Sequence, residues 1–235
     1  MPTVLITGAS KGIGESTARL FAKAGWDLLL VARSESTLQS LSEELSLGGS
    51  KTFFEALDLS NPADVVPGIS KLLENGLVPS VLINNAGAAW TGELITMPLQ
   101  EWDWLLQVNL TSVFQVCSAI VPSMRAKGGL IINVSSHASR NAFPQWGAYC
   151  VSKAALASFT KCLAEEERIH GIRACTLTLG AVNTTLWDSE TVQSDFDRES
   201  MLKVDQVAAE LLHLSEQPST QIIEDITLMP SAGVL

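Results

Sequence analysis

Seven short apolar stretches that alternate with helical patterns constrain the fold of this 235-residue chain more than any other feature. Strands that are buried on both faces of a parallel sheet have continuous apolar sequences, and each connecting helix returns the chain to the same end of the sheet. The alternation therefore predicts an α/β fold with a doubly wound, mainly parallel sheet of about seven strands and helices on both faces. The predicted strands are residues 4–6, 28–31, 52–57, 81–83, 130–134, 174–179 and 226–229.

The length and the even spread of these patterns predict one domain. No internal repeat, low-complexity tract or interdomain linker interrupts the sequence. Since α/β folds of this size are commonly built around one large core, we expect residues 1–235 to form a single domain.

The charge balance excludes several classes of partner. Fifteen basic against 25 acidic residues give a formal net charge of −10, and the basic residues form no stripe. Nucleic acid and anionic membrane surfaces are therefore not expected as partners. No apolar segment approaches the roughly 20 residues needed to span a bilayer, and the first residues lead directly into a strand rather than a secretory signal. These features predict a cytoplasmic protein with no membrane partner.

The four cysteines predict no metal site. Cys117, Cys150, Cys162 and Cys175 stand in apolar helix or strand patterns and lack the spacing of metal ligands. Buried free thiols in a reducing cytoplasm account for them.

A glycine-rich turn follows the first predicted strand and leads into a helical pattern. Gly8, Gly12 and Gly14 have the spacing Gly-x-x-x-Gly-x-Gly. Glycines allow a tight turn and a close approach to a pyrophosphate, while the helix start offers free N–H groups and the positive end of its dipole. A strand, a glycine turn and a helix in this order predict a dinucleotide site in a Rossmann-type fold.

Tyr149 and Lys153 lie four residues apart in a helical pattern, and Tyr149 is the only tyrosine in the chain. This spacing places both side chains on one face of a helix. A nearby ammonium favours the phenolate and lowers the pKa of a tyrosine by roughly 1–3 units from about 10. The pair therefore predicts a phenol that exchanges a proton with a substrate oxygen. The alternative is a surface tyrosine beside a solvated lysine.

Four motifs in this order resemble the short-chain dehydrogenase/reductase family, and the resemblance covers nearly the whole chain. Residues 7–14 match the family's cofactor motif, residues 84–87 match the Asn-Asn-Ala-Gly motif that ends its fourth strand, and Asn109 stands at the position of its catalytic asparagine. Ser136 precedes Tyr149 by 13 residues, the usual offset, and Ser135 is the adjacent alternative. Within the family, the chain resembles NADP-preferring carbonyl and 3-oxoacyl reductases.

The resemblance implies a catalytic group of Asn109, Ser136, Tyr149 and Lys153. In the family the tyrosine is the acid/base, the lysine lowers its pKa and holds the nicotinamide ribose, the serine hydrogen-bonds the reacting oxygen, and the asparagine supports a water relay. A turn cap is the alternative for Ser136, and a polar contact inside a helix is the alternative for Asn109. The implied cofactor-binding residues are Gly8, Ser10, Lys11, Gly12, Ile13, Gly14, Arg33, Asp58, Leu59, Asn85, Ala86, Gly87, Val108, Tyr149, Lys153, Gly180, Val182 and Thr184.

The end of the second predicted strand indicates which cofactor is used. NAD enzymes commonly place an acid there for the ribose 2′-hydroxyl, whereas this chain has Arg33, with Glu35 two positions further on. Arg33 can bind a 2′-phosphate with two parallel hydrogen bonds, and Lys11 adds a second cation. Within the family, basic residues at these two positions accompany NADP, so we expect NADP(H). The alternative is that both side chains are simply solvated.

Two departures from the family pattern affect loop and assembly. Leu179 stands where relatives commonly have the proline of a Pro-Gly pair, and the loss of a fixed φ angle predicts a less rigid loop. The C-terminal residues lack the Asp-Gly-Gly that many relatives carry. The resemblance still implies a homodimer or homotetramer.

The substrate site is predicted from loop residues. Aromatic and apolar side chains on these loops favour an apolar or aromatic-walled pocket, and a polar segment, residues 185–201, is expected to cover the substrate as a mobile lid. His137 follows Ser136 and is expected beside the site rather than in the chemistry. The other candidate pocket residues are Trp90, Phe143, Trp146, Leu186 and Trp187.

These features together predict an NADP(H)-dependent oxidoreductase that acts on a small carbonyl or alcohol substrate. One alternative is a non-catalytic NADP(H)-sensing protein on the same fold, although the presence of Ser136, Tyr149 and Lys153 argues against it. Another is an epimerase or dehydratase, which needs a larger C-terminal substrate domain than the roughly 50 residues that follow Thr184.

Overall fold

The structure, a computed structural model, describes residues 1–233, and residues 234 and 235 of the predicted domain lie outside the described part. Seven strands form one parallel sheet in the order β3-β2-β1-β4-β5-β6-β7. This confirms the predicted fold class. The strands are β1 (Thr3–Thr7), β2 (Asp27–Ala32), β3 (Thr52–Ala56), β4 (Val81–Asn84), β5 (Gly129–Ser136), β6 (Ile172–Leu179) and β7 (Asp225–Leu228).

Seven α-helices cover both faces of the sheet within the described residues. The helices are α1 (Gly12–Lys23), α2 (Glu35–Leu47), α3 (Pro62–Leu73), α4 (Leu99–Leu106), α5 (Ser112–Met124), α6 (Gly147–Glu167) and α7 (Val204–Ser215). Helices α1, α2 and α7 pack on one face and α3, α5 and α6 on the other. The central strands β1 and β2 are buried along their whole length, which explains why their sequences are continuously apolar.

The strand order places a crevice at the carboxyl end of the sheet. From β1 the chain proceeds to β2 and β3 on one side, and β4 then returns to the other side of β1. Helices on opposite faces therefore diverge where β1 and β4 end, which is where open α/β sheets bind ligands.

One helical run corrects an expectation from the sequence. Helix α4, a π-helical turn (Gln107–Thr111) and α5 are continuous, and Leu99–Met124 is long and apolar enough to cross a membrane by length and composition alone. The expectation that no segment approaches this length is therefore wrong. In the fold, 44% of the most apolar stretch of this run is buried, and core helices of globular proteins can be equally long and apolar.

The cysteines only partly match their expectation. Cys117 and Cys175 are buried, and burial raises the pKa of each thiol to about 12. Cys150 is half-buried and Cys162 is exposed, because its position on α6 faces solvent, so the expectation of buried thiols is wrong for Cys162.

Candidate active site

A cleft of about 920 Å³ opens at the carboxyl ends of the central strands. It runs from the glycine turn after β1 to the segment that follows β6. Most predicted cofactor residues line it: Gly8, Ser10, Lys11, Gly12, Ile13, Arg33, Asp58, Leu59, Asn85, Ala86, Gly87, Val108, Tyr149, Lys153, Gly180, Val182 and Thr184. Of the predicted catalytic residues, Ser136, Tyr149 and Lys153 line the cleft, while Asn109 does not.

The glycine turn has a conformation that its residues require. Gly8 has a φ of +70°, which side chains disfavour. A Cβ atom on Gly14 would lie 2.1 Å from the Gly8 carbonyl oxygen, so only glycine fits there. Gly14 is buried and does not line the cleft; it lets α1 approach the turn that does. Asn85 fixes the same turn by donating from Nδ2 to the Thr7 carbonyl at 3.0 Å.

Tyr149, Ser136 and Lys153 meet where β5 and α6 face the cleft. The Ser136 side chain stands beside the Tyr149 hydroxyl and lowers its pKa, and Ser136 Oγ accepts from the Ala138 N–H at 3.2 Å. Lys153 Nζ donates to the Val134 carbonyl at 3.1 Å and lies 5.8 Å from the centre of the Tyr149 ring. Ser136, not Ser135, therefore stands beside the tyrosine.

The pKa values of the pair differ from the sequence expectation. Burial raises the pKa of Tyr149 to about 12, against the lowering effect of the neighbouring Ser136 side chain. Burial also lowers the pKa of Lys153 to about 8. The expectation that Lys153 brings the Tyr149 pKa towards neutrality is wrong for the chain alone, because desolvation disfavours both charged forms. At neutral pH the phenol is protonated.

Asn109 is fully buried behind the cleft, in the π-helical turn. Its Nδ2 donates to the Ala88 carbonyl at 2.9 Å and to Ser152 Oγ at 3.0 Å, while its Oδ1 accepts from the Ala88 N–H at 2.8 Å. The side chain thus ties the segment after β4 to α6. A Cβ atom on Gly87 would lie 3.4 Å from Asn109 Oδ1 and 3.5 Å from Lys153 Nζ, so both side chains approach Gly87 from the same side.

The end of the cleft near β2 is basic. Lys11 and Arg33 border a small adjoining hollow together with Ser10, Ser34 and Thr37. Ser34 Oγ and Thr37 Oγ1 are 2.8 Å apart. The sequence analysis missed these two hydroxyls, which the start of α2 at Glu35 could have indicated, because serine is a common residue immediately before a helix.

Asp58 and Gly180 combine a cleft position with a structural contact. Asp58 Oδ1 accepts from the Ser60 N–H at 2.9 Å and from Ser60 Oγ at 2.8 Å, so the carboxylate also closes a turn. The Gly180 N–H donates to the Leu228 carbonyl at 2.9 Å. Leu179 is buried at the end of β6 and pairs with Leu228. Pairing with β7 therefore anchors the start of this loop.

Aromatic rings line the other end of the cleft. Trp146 contacts Tyr149 edge-to-face, with ring centres 5.6 Å apart, and Trp187 at 5.8 Å; Trp187 in turn contacts Phe196 at 5.4 Å. Trp90 does not line the cleft and instead packs over Gly92. The predicted residues His137, Phe143 and Leu186 do line it, and the sequence analysis missed Trp104, Pro144, Ala181 and Met229.

The segment after β6 lies across this aromatic end. It begins with a short 3₁₀ turn (Thr185–Asp188). Thr191 Oγ1 donates to the Ala89 carbonyl at 2.7 Å, and the Thr91 N–H donates to the Thr191 carbonyl at 2.8 Å. Arg198 donates to Asn183 Oδ1 at 2.7 and 2.9 Å. Hydrogen bonds thus hold the predicted covering segment near its middle, at Thr191, and near its end, at Arg198.

Comparison with known proteins agrees with this geometry. Residues 2–195 match the family model described as short chain dehydrogenase. An uncharacterised oxidoreductase of Staphylococcus saprophyticus is 32% identical over 240 residues, which cover 99% of this chain and 97% of the relative.

Two solved structures have the same fold over nearly their whole length. An alcohol dehydrogenase of the archaeon Thermococcus sibiricus, complexed with 5-hydroxy-NADP, has a TM-score of 0.90 at 30% identity and covers 98% of this chain and 97% of its own. A metagenomic short-chain oxidoreductase in complex with NADP has a TM-score of 0.84 at 30% identity, with the same coverage of 98% and 97%. The chain therefore belongs to the short-chain dehydrogenase family of nicotinamide-dependent oxidoreductases.

Proposed function

We propose that this protein is an NADP(H)-dependent oxidoreductase that interconverts a carbonyl compound and a secondary alcohol, with Tyr149 as the general acid/base. The observation that carries the proposal is that the hydroxyl side chains of Tyr149 and Ser136 stand beside each other at the inner wall of a cleft that could hold a dinucleotide. Both hydroxyls can donate to one oxygen. A carbonyl oxygen gains negative charge as hydride arrives, so these donors stabilise the transition state more than the ground state.

The residues of the cleft fit the cofactor. The glycine turn lines the cleft through Gly8 and Gly12, whose positive φ angles turn the backbone tightly there, and the first turn of α1 offers free N–H groups. Arg33, Lys11, Ser34 and Thr37 surround the hollow at the end of β2 with two cations and two hydroxyls, a donor set that suits a phosphate. This donor set supports NADP(H) over NAD(H), as do the NADP ligands of the two similar structures.

The proton chemistry favours reduction at neutral pH. When bound, the reduced nicotinamide supplies a hydride with its electron pair to the carbonyl carbon and leaves oxidised. Tyr149, whose pKa of about 12 keeps the phenol protonated, gives its proton to the carbonyl oxygen and forms the alcohol. The Lys153 ammonium, 5.8 Å from the centre of the Tyr149 ring, would offset part of the charge of the resulting phenolate, and solvent returns the proton. The reverse reaction requires the phenolate, so its rate should rise with pH.

We also propose a homodimer or homotetramer in the cytoplasm. Phe114 on α5 is 57% exposed and Val151 on α6 is 43% exposed, which leaves apolar surface that a second copy could cover. Light scattering of the purified chain tests the oligomeric state directly, since a monomer across micromolar concentrations would contradict the proposed assembly.

A panel of ketones and aldehydes tests the proposed function. Purified protein should consume NADPH steadily with some members of the panel, and the alcohol product should form in equal amount. NADPH binding without turnover on any member would instead support the NADP(H)-sensing alternative.

A further inference from the structure

The substrate end of the cleft has a continuous wall of aromatic rings. Trp146, Tyr149, Trp187 and Phe196, here called the aromatic wall, contact one another in series with ring centres 5.4 to 5.8 Å apart. Each of these residues lines the cleft. One end of the wall is the proposed acid/base, and the other belongs to the segment that lies across the cleft. A substrate whose carbonyl reaches Tyr149 therefore lies against ring surface.

Trp187 presents apolar surface to the cleft without a free hydrogen-bonding group. Its Nε1 donates to the Val182 carbonyl at 2.8 Å, so the only polar atom of the indole is already paired within the protein. The same bond and the contacts with Trp146 and Phe196 hold the ring in one place. A held aromatic ring binds a planar or cyclic apolar group at little entropic cost and through edge-to-face or stacked contacts.

The charges along the cleft are unevenly distributed. Lys11 and Arg33 border the hollow at the end of β2, far along the cleft from the aromatic wall. Away from Lys11, Arg33 and Asp58, the titratable side chains that line the cleft within the described chain are exposed Glu190, the cation Lys153, His137 and Tyr149 itself. Lys153 is buried, and its Nζ donates a hydrogen bond to the Val134 carbonyl.

An anionic group on the substrate would meet unfavourable surroundings there. It would lose water beside aromatic rings without a counter-ion of its own and would approach the Glu190 carboxylate. The formal net charge of −10 adds a repulsive field for acidic substrates and acidic carrier proteins. An uncharged ring compound meets none of these penalties, and a cation is tolerated by both the rings and the carboxylate.

Building on the proposed function, we propose that the substrates are ring-bearing ketones or the corresponding alcohols without an anionic group, selected by Trp187 and Glu190. Trp187 selects for the ring by contact. Glu190 selects against negative charge at the mouth of the cleft. Keto acids and acyl groups carried on acidic proteins are therefore poor substrates.

Matched ketones test this selection. The neutral aryl ketone is 4-ethylacetophenone, the anionic one is 4-acetylphenylacetate, and the cationic one is (4-acetylbenzyl)trimethylammonium. In the two charged ketones a methylene group separates the charge from the aryl ring that carries the carbonyl. The fourth probe, 2-butanone, lacks a ring. With the wild type and NADPH, kcat/KM for the neutral aryl ketone should exceed that for the anionic one by about tenfold or more, and the cationic ketone should be reduced about as well as the neutral one. Glu190→Gln should raise kcat/KM for the anionic ketone about two- to fivefold, as for an exposed charge pair, and leave the neutral ketone unchanged.

Variants of Trp187 separate substrate contact from general damage. Trp187→Ala should lower kcat/KM for the aryl ketones about tenfold while 2-butanone changes little, and Trp187→Phe should restore most of the loss because it keeps a ring. Thermal melting of each variant checks that the fold is intact.

Two results would overturn the inference while the proposed function stands. One is a wild type that reduces the anionic ketone as well as the neutral one. The other is a Trp187→Ala variant that loses aryl ketones and 2-butanone equally, which would make the tryptophan structural only. Failure of the proposed function looks different: NADPH binds and none of the ketones is reduced, and both proposals then fall.

Discussion

Replacing Arg33 with alanine should abolish most of the preference for NADP(H) over NAD(H). Arg33 follows β2 and borders the hollow that also contains Lys11, Ser34 and Thr37. A 2′-phosphate bound there accepts hydrogen bonds from the guanidinium, whereas the 2′-hydroxyl of NADH offers it little. The substitution removes the guanidinium and leaves the glycine turn and the rest of the cleft in place.

The exposure of Arg33 sets the size of the effect. Charge-assisted hydrogen bonds contribute about 1.5–3 kcal/mol, or about 10- to 150-fold in affinity. Arg33 is exposed to solvent and Lys11 remains as a second cation, so the lower end applies. We expect the Kd for NADPH to rise about tenfold and the Kd for NADH to change by less than about twofold. Raising the salt concentration should shrink the difference, since exposed charges are screened.

Titration calorimetry with both cofactors measures this effect. Lys23→Ala is the matched control, because it removes one exposed positive charge at the end of α1, outside the residues that line the cleft. The control should leave both Kd values unchanged. Equal affinities of the wild type for NADPH and NADH, or equal losses for both cofactors in Arg33→Ala, would refute the assignment of the hollow.

Three further predictions concern stability and motion. Burial lowers the pKa of Lys153 to about 8 from 10.5, so between these pH values the folded chain binds fewer protons than the unfolded chain. The free energy of unfolding of the wild type should therefore gain up to about 3 kcal/mol over that of Lys153→Met as pH rises through this window. Urea unfolding at pH 8 and 10 checks this gain, and parallel pH dependences of the two proteins would contradict it. Gly14→Ala should cost about 3 kcal/mol or more because its Cβ would lie 2.1 Å from backbone, whereas Gly48→Ala, with 3.2 Å to its nearest neighbour, should cost under about 1 kcal/mol in the same unfolding assay. The segment 185–201 should exchange amide hydrogens faster than the central strands without NADPH and slow down with it, and protection equal to that of β1 without NADPH would show that it is no lid.

The architecture followed from the sequence because burial on two faces leaves a clear pattern. Strands such as β1 and β2 are apolar throughout, and the helices between them fixed the parallel pairing. The cofactor residues were predictable for a related reason, since strand ends in one sheet meet at one edge. Spacing alone, however, did not reveal which of these side chains face the cleft. Gly14 and Asn109 have the expected positions in the chain but lie behind its surface.

Burial and loop directions were the properties that the sequence could not supply. The four-residue spacing of Tyr149 and Lys153 predicted that they are close, but not that burial is the largest influence on both pKa values. Loops have no periodicity that fixes side-chain direction. Trp146 and Trp187 therefore joined the cleft as expected, whereas Trp90, on a similar loop, packs elsewhere.

Tyr149→Phe, measured for both turnover and cofactor binding, tests the proposed mechanism most directly. The phenylalanine keeps the ring that contacts Trp146 and removes only the hydroxyl that stands beside Ser136. General acid catalysis contributes about 10²-fold or more, so kcat for ketone reduction should fall at least that far while the Kd for NADPH stays within about threefold of the wild type. A variant that keeps more than about a tenth of the wild-type kcat would show that Tyr149 is not the proton donor.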